Sequence, residues 1–445
     1  MLICTQLLTQ VLFKNYHKKG NAYEQNQYFK NNGIRAKLHD RMEIPSRSTT
    51  RSILRITKNF IANWNQAMLQ KKSLLTTLLL LTHAQSFSWW FDIKPIKEIV
   101  QEDPSIQYQK CFDPVAFNYT EFPLSTNPAN HPNQGSFDET FIISIPNGTA
   151  QSKCGFAIIN NCFISEMIWK KFMHNLRLVQ HQKDLTQHIA GRVVVITQPA
   201  YHNYFHWLTE VLCRLALLDM TNTEYDYVYT PYDRDYIKGT LDLWGIPPQK
   251  ILTPKNDSAY IQADTLIVPS LVSNAKPSSV YFSCYVQPHL IEYVINKLLT
   301  AAKKIPFEHE TSKRIFISRK DSPQRKLLNE EDVFAIFKQH GFVRHELEGM
   351  PVAQQILLFH NAEIIVSPQG TGLANCMFCT PNTRIIELFQ GLNDCTFWYL
   401  AQDLHLNYTP VQTIDFAPTY LEGWSGHTSM PLDIIQQVID DLQIS

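Results

Sequence analysis

Apolar positions in this chain follow two rhythms. Short β-branched or aromatic runs occur at Arg192-V-V-V-I-Thr197, Tyr225-D-Y-V-Y-Thr230, Thr265-L-I-V-Pro269, Ile315–Ser318, Glu363–Ser367 and Arg384–Leu388. Each is bounded by turn-forming residues, the pattern of a buried strand. Between the first two runs, Phe205, Leu208, Val211, Leu212, Leu215 and Leu218 recur at helical spacing over residues 203–219. The same spacing predicts helices over Tyr236–Leu243 (ended at Gly245), over His289–Lys304, from Asn329 to Gly341, from Pro351 to His360 and from Leu373 onward. Asn329 stands as an N-cap, with Asp332 where a capping box has its acid.

Strand and helix alternate, which predicts an α/β protein with parallel sheets covered on both faces. One series begins near residue 192 and a second at Arg314, predicting two β/α/β domains facing each other across a cleft. The Pro-, Asn- and Asp-rich stretch after residue 95, including E-F-P-L-S-T-N-P-A-N-H-P-N-Q-G, reads as loop-rich and packed on that body.

Composition adds two constraints. Of 445 residues, 44% are apolar and 18% charged, ordinary for a folded protein of about two domains. Net charge is zero, yet residues 1–72 carry 13 Lys/Arg against 3 Asp/Glu. The basic excess lies in the leader, so a nucleic-acid footprint on the body is disfavoured. Met68-L-Q-K-K followed by Ser73-L-L-T-T-L-L-L-L-Thr82 reads as a signal-like or peripherally membrane-associating segment within residues 1–90. Its apolar run is too short to span a bilayer comfortably. Nine cysteines, an odd number thinly spread, do not form a disulfide framework, and Cys376-x-x-Cys379 has no second pair to make a zinc site.

Three constellations carry chemistry. Ser367-P-Q-G-T-G-L-Ala374 joins a strand to a helix, and its glycines let backbone N–H groups approach an anion. Gln369, Gly370, Thr371 and Gly372 are the candidate phosphate cradle, and Glu387 stands a strand later, where an acid can bond ribose hydroxyls. Arg319, Lys320 and Arg325 follow the strand Ile315–Ser318, and ligands of open α/β sheets sit at carboxyl ends of strands. Arginine pairs with a diphosphate bidentately, and Arg319 can neutralise such a leaving group without a metal. In Tyr201-H-N-Y-F-H-W-L-T-Glu210, His202, His206 and Glu210 are spaced four apart and share a face if the helix reaches back to His202. H-N-Y-F-H lacks the glutamate of a zinc protease. His206 suits a general base near neutral pH, and Asn203 either orients a substrate hydroxyl or caps the helix.

In that order these motifs resemble the family 61 glycosyltransferases, which include bacterial polysaccharide enzymes, plant xylosyltransferases and protein O-linked N-acetylglucosaminyltransferases. The resemblance is carried by N-Y-F-H-W-L at 203–208, I-S-R at 317–319 with Arg325, L-N-E-E-D-V at 328–333, G-F through E-L-E-G at 341–349, A-E-I-I-V-S-P-Q-G-T-G-L-A-N at 362–375 and I-I-E-L at 385–388. It covers roughly residues 190–395. It implies a GT-B-like fold of two facing Rossmann-like domains: an acceptor-side domain at 191–305 and a nucleotide-sugar domain at 306–445, preceded by the leader (1–90) and the loop-rich region (91–190). It implies an inverting hexosyl- or pentosyltransferase with no metal or other cofactor. Its partners would be a nucleotide-sugar donor and a glycan or protein acceptor.

On that basis His206 is the base and Asn203 and Glu210 lie on the acceptor side. Arg319, Arg325 and the Gln369–Gly372 turn bind the diphosphate, and Glu387 binds ribose. The family usually has P-H-G-A-G where this chain has Pro368-Q-G-T-Gly372, and Gln369 cannot carry charge or move a proton. A sugar-nucleotide-binding protein without turnover is therefore an alternative, and an NAD-dependent oxidoreductase, from G-x-G with Glu387, is a second. The compartment implied is the cytoplasmic face of the membrane in a bacterium, or the endoplasmic reticulum or Golgi lumen if the leader is a eukaryotic signal.

Overall fold

The strand at Arg192 extends further toward its amino end than its apolar run suggests, and it organises the first of two large sheets. The computed structural model describes residues 92–123, 133–151, 153–160, 162–168, 186–255, 260–276, 287–309, 312–389, 395–415 and 426–444. The leader at 1–90 lies outside them. All described elements belong to one compact unit, residues 89–445.

The first sheet has ten strands. Before residue 186 come β1 (Asp92–Lys94), helix α1 (Ile96–Glu102), β2 (Gln107–Phe112), β3 (Ala116–Asn118), β4 (Gln134–Phe137), β5 (Thr140–Pro146), β6 (Thr149–Gln151), β7 (Phe156–Ile159) and β8 (Cys162–Ile164). Then follow β9 (Thr186–Val195), helix α2 (residues 204–220), β10 (Tyr227–Tyr229), α3 (Asp235–Trp244), β11 (Ile251–Leu252), β12 (Tyr260–Pro269), β13 (Ala275–Lys276) and α4 (Pro288–Ala302). Of these strands β3, β4 and β13 form a separate three-stranded sheet. Strands β12, β9, β10 and β11 are parallel neighbours, as alternation predicted.

The segment after residue 95 corrects its reading as loop. Strands β5 and β6 pair antiparallel with β12, β2 extends the sheet from β5, and β7 and β8 extend it from β6. Phe141, Ile142, Ile143 and Ile145 are buried in β5, so its apolar residues do the work of a strand inside a polar composition. Of the Pro- and Asn-rich run, residues 124–132 lie outside the described set.

The second sheet is wholly parallel: β14 (Arg314–Ser318), β15 (Val343–Glu346), β16 (Ile364–Pro368), β17 (Arg384–Phe389) and β18 (Asn407–Gln412), in the order β15-β14-β16-β17-β18. Strand β18 was not foreseen, because N-Y-T-P-V-Q carries little apolar signal. It is a half-buried edge strand, where Pro410 removes no ladder donor that a further strand would need. Helices α5 (Glu330–Gln339), α6 (Val352–Asn361), α7 (Thr396–Asp403) and α8 (Leu432–Asp441) complete this part.

Period-2 alternation places the core. Val194 and Ile196, leaving β9, join Ile315, Ile365 and Ile385 of the second sheet in one apolar cluster built around α2, α3, α4 and α6. Val193 and Val195 face the opposite way, as do Phe316, Val366 and Ile386. Both sheets are thus covered on two faces, and the four helices share a core with both. Gly245 ends α3 with φ +88°, and Ile246 N–H then bonds Leu241 O in the Schellman manner. Among the described residues no helix is long and apolar enough to cross a membrane.

Candidate active site

Helix α2 opens with Asn203 as a true N-cap. Its Oδ1 accepts from Phe205 N (3.0 Å) and His206 N (3.5 Å), so the cap role is the observed one. The helix starts at Tyr204 and does not reach His202, which is exposed and off the shared face. Residues Trp207–Val211 form a π turn before α-helical geometry resumes. Such turns concentrate at functional sites.

Across that π turn His206 meets Glu210. The ring Nδ1 lies 2.6 Å from Glu210 Oε1. Glu210 is 1% exposed, and its other oxygen accepts from Gln198 Nε2 (2.6 Å) and Ser273 Oγ (3.1 Å). The carboxylate is therefore fixed from three sides, and it holds the imidazole with its proton on Nδ1. Nε2 is then the basic nitrogen. One turn further along α2, Arg214 is fully buried and donates to Ile196 O, Thr197 O and, through Nε and Nη2, Pro269 O. Burial pulls its pKa down to about 9, while the negative charge of Glu210 acts the other way. Sequence reasoning missed Arg214, Gln198 and Ser273. Only Arg214 left a trace, as the next polar residue on the His206–Glu210 face of an otherwise apolar helix.

The second half of the site lies where the strand order of the parallel sheet reverses, between the carboxyl ends of β14 and β16. That switch point is where open α/β sheets bind ligands. Arg319 leaves β14 there. Its guanidinium donates to Arg325 O (3.2 Å), Ser322 Oγ (2.8 Å) and Gln324 O (3.0 Å), and so is preorganised by its own loop. Burial, and after it the nearby charge of Arg325, lower its pKa to about 10, with Glu330 acting the other way. Two guanidinium groups held near each other on one loop favour an anion between them.

Arg325 occupies the left-handed region at φ +54°, and its Nε is buried without a partner among the described residues. Glu330 accepts from Ser318 Oγ (2.5 Å) and Arg319 N (3.0 Å), which fixes the exit of β14. The expected capping box is absent. Asn329 instead bonds Met430 through both its amide atoms, because the tertiary partner is better placed than the local one. Lys320 is exposed and paired with Glu346 at 2.5 Å.

Gly370 touches Arg319. A Cβ at Gly370 would lie 1.9 Å from Arg319 Nη1, so only glycine admits the guanidinium here. Residues Thr371–Phe378 form a 3-10 helix rather than the α-helix start read from Leu373. Asn375, fully buried, fixes this tighter winding: Nδ2 donates to Gly372 O (3.1 Å) and Gln355 Oε1 (3.0 Å). Its Oδ1 accepts from Tyr204 OH at 2.8 Å. Tyr204 is in the first turn of α2, two residues from His206, so this bond ties the helix that carries His206 to the glycine turn. Glu387 is 1% exposed in β17, where its carboxylate accepts from Tyr408 OH. Among the described residues no group of three or more His, Cys, Asp or Glu is placed to hold a metal ion.

No curated protein gives a significant match to the chain. The model of the glycosyltransferase 61 family matches residues 204–386, under half the chain. That stretch takes in His206, Glu210, Arg319, Arg325 and the 369–372 turn, and leaves Asn203 and Glu387 just outside. Both halves of the site thus fall inside the one region that is similar to the glycosyltransferase 61 family.

Proposed function

We propose that this enzyme is an inverting glycosyltransferase of GT-B-like arrangement, with residues 191–305 on the acceptor side and 306–445 on the nucleotide-sugar side. The acceptor is a hydroxyl of a glycan or protein. His206 Nε2 takes the proton of that hydroxyl as its oxygen forms a bond to the anomeric carbon. The bond from that carbon to the diphosphate oxygen breaks, and the electron pair leaves with the nucleoside diphosphate. Attack opposite the leaving group inverts the centre. Arg319, with Arg325 beside it, balances the charge of the departing diphosphate, and the Gly370–Gly372 turn lets the backbone approach it. Glu387 is assigned to the ribose side.

The observation that carries this reading is the His206–Glu210 pair, tied through Tyr204 and Asn375 to the turn that meets Arg319. A base and a preorganised cation on opposite sides of one turn are what a single displacement needs. Metal-independent transfer follows from assigning leaving-group charge to fixed guanidinium groups.

Compartment depends on the leader. In a bacterium the enzyme works at the cytoplasmic face of the membrane, by peripheral contact. In a eukaryote with a functional signal it works in the lumen, where the exposed sequon residues Asn118, Asn147 and Asn407 are open to glycosylation. The deciding test is His206→Ala. Sugar transfer to a panel of acceptors should vanish while calorimetric affinity for the nucleotide stays within about threefold. Unchanged turnover in that variant would remove His206 from the mechanism.

A further inference from the structure

Gln369 is 1% exposed, and neither its Nε2 nor its Oε1 has a partner among the described residues. Its backbone is anchored, with N–H bonded to Leu388 O at 3.1 Å, so the side chain has a fixed origin. A buried amide with both ends unsatisfied is destabilising, and native proteins rarely keep one without a ligand or water to complete it.

Chemistry restricts the ligand. Nε2 donates and Oε1 accepts. Diphosphate oxygens only accept, so they would satisfy Nε2 and leave Oε1 facing an anion. Neighbouring hydroxyls of a sugar ring donate and accept from adjacent atoms and satisfy both ends. Position agrees with this. Gln369 directly precedes Gly370, which meets Arg319, and the 371–378 helix that follows is bonded through Asn375 to Tyr204 beside His206. The transferred sugar is the group that must lie between the leaving diphosphate and the base.

We propose that Gln369 is a specificity residue that grips two neighbouring hydroxyls of the transferred sugar, one donating to Oε1 and the other accepting from Nε2. This rests on the glycosyltransferase reading above and moves Gln369 from the diphosphate, where the sequence had put it, to the sugar.

Calorimetric titration of the full chain with UDP- and GDP-sugars, and with UDP and GDP alone, tests it. Gln369→Met should bind the preferred nucleotide sugar at least about tenfold more weakly, because a site built around hydroxyl bonds loses them all, while the free diphosphate stays within about twofold. Its ligand-free melting temperature should rise, since two orphaned polar atoms are gone. Gln369→Asn, which keeps the amide but shortens its reach, should show the same selective loss of sugar affinity. Equal losses for nucleotide sugar and free nucleotide overturn the proposal in favour of a phosphate role, and no loss in either also overturns it. Failure of the wild type to bind any member of the panel overturns the glycosyltransferase reading itself.

Discussion

Replacing Glu210 by glutamine tests the base through its proton rather than its presence. In the wild type, Glu210 accepts on both sides: from His206 Nδ1 through one oxygen, and from Gln198 and Ser273 through the other. A glutamine has one accepting and one donating end. If its oxygen faces Gln198 and Ser273, its NH2 group points at His206 Nδ1, which must then be the acceptor. The imidazole proton moves to Nε2, and the nitrogen that should take the acceptor's proton already carries one. If the amide is flipped, its NH2 group confronts Gln198 Nε2 inside a site only 1% exposed, unless Gln198 also turns to offer Oε1, which has no partner among the described residues. The first orientation keeps Gln198 and Ser273 as they stand, and leaving a buried donor unmatched instead costs about 1–3 kcal/mol. The analogous wrong-tautomer change in a serine protease lowers kcat by about 10⁴, so Glu210→Gln should lose roughly 10³–10⁴ in kcat. That corresponds to about 4–5.5 kcal/mol of transition-state stabilisation. The assay is initial-rate sugar transfer at saturating donor, with calorimetry on the nucleotide and a thermal melt as controls for binding and fold. A variant that keeps kcat within about tenfold of the wild type would refute the tautomer argument.

Two further outcomes separate charge from packing. Gly370→Ala places a methyl where Arg319 Nη1 now lies, so it should displace the guanidinium, lower kcat by roughly 10²–10³ and change the melting temperature little. Wild-type rates should be unaffected by EDTA; a rate that falls with EDTA and returns with a divalent cation would show that Arg319 does not carry the leaving-group charge alone. Asp403 makes the pH prediction. Burial raises its pKa from 3.8 to about 7, partly offset by the hydrogen bond from Tyr119. A folded-state pKa above the unfolded one means the native protein holds the proton more tightly, so stability falls as pH rises from about 4 to about 7 and then levels. Asp403→Asn, which keeps an acceptor for Tyr119, should match the wild type at pH 4 and exceed it at pH 8 by up to about 4 kcal/mol in chemical denaturation.

The three central strands of the second sheet were legible because they are apolar on both faces, and parallel strands buried twice read as continuous runs. The edge strands β15 and β18 escaped notice for the opposite reason. The antiparallel strands before residue 165 were hidden by their surroundings, since loops rich in Pro and Asn mask short strands such as β6 and β8. At the site, His206, Glu210, Arg319 and Gly370 announced themselves by type and spacing. Their partners did not. Gln198, Ser273 and Pro269 reach Glu210 and Arg214 from other elements of the first sheet region, and no local pattern marks a polar residue whose partner lies 12 or 63 positions away.

That distribution also explains why the π turn stands where it does. His206, Glu210 and Arg214 lie on one side of α2, and only the first keeps contact with solvent. The imidazole keeps 14% of its surface exposed, the carboxylate is buried and fixed, and the guanidinium is equally buried, on carbonyls of residues 196, 197 and 269. A straight α-helix descends evenly, whereas the wider turn at Trp207–Val211 alters the direction of the face between base and carboxylate. Trp207, fully buried with its indole N–H on Thr240 Oγ1 at 2.8 Å, pins that turn to α3. The deviation from regular helix is therefore held by packing on one side and by the Glu210 hydrogen bonds on the other. Both supports lie within the segment that matches the glycosyltransferase family or directly against it.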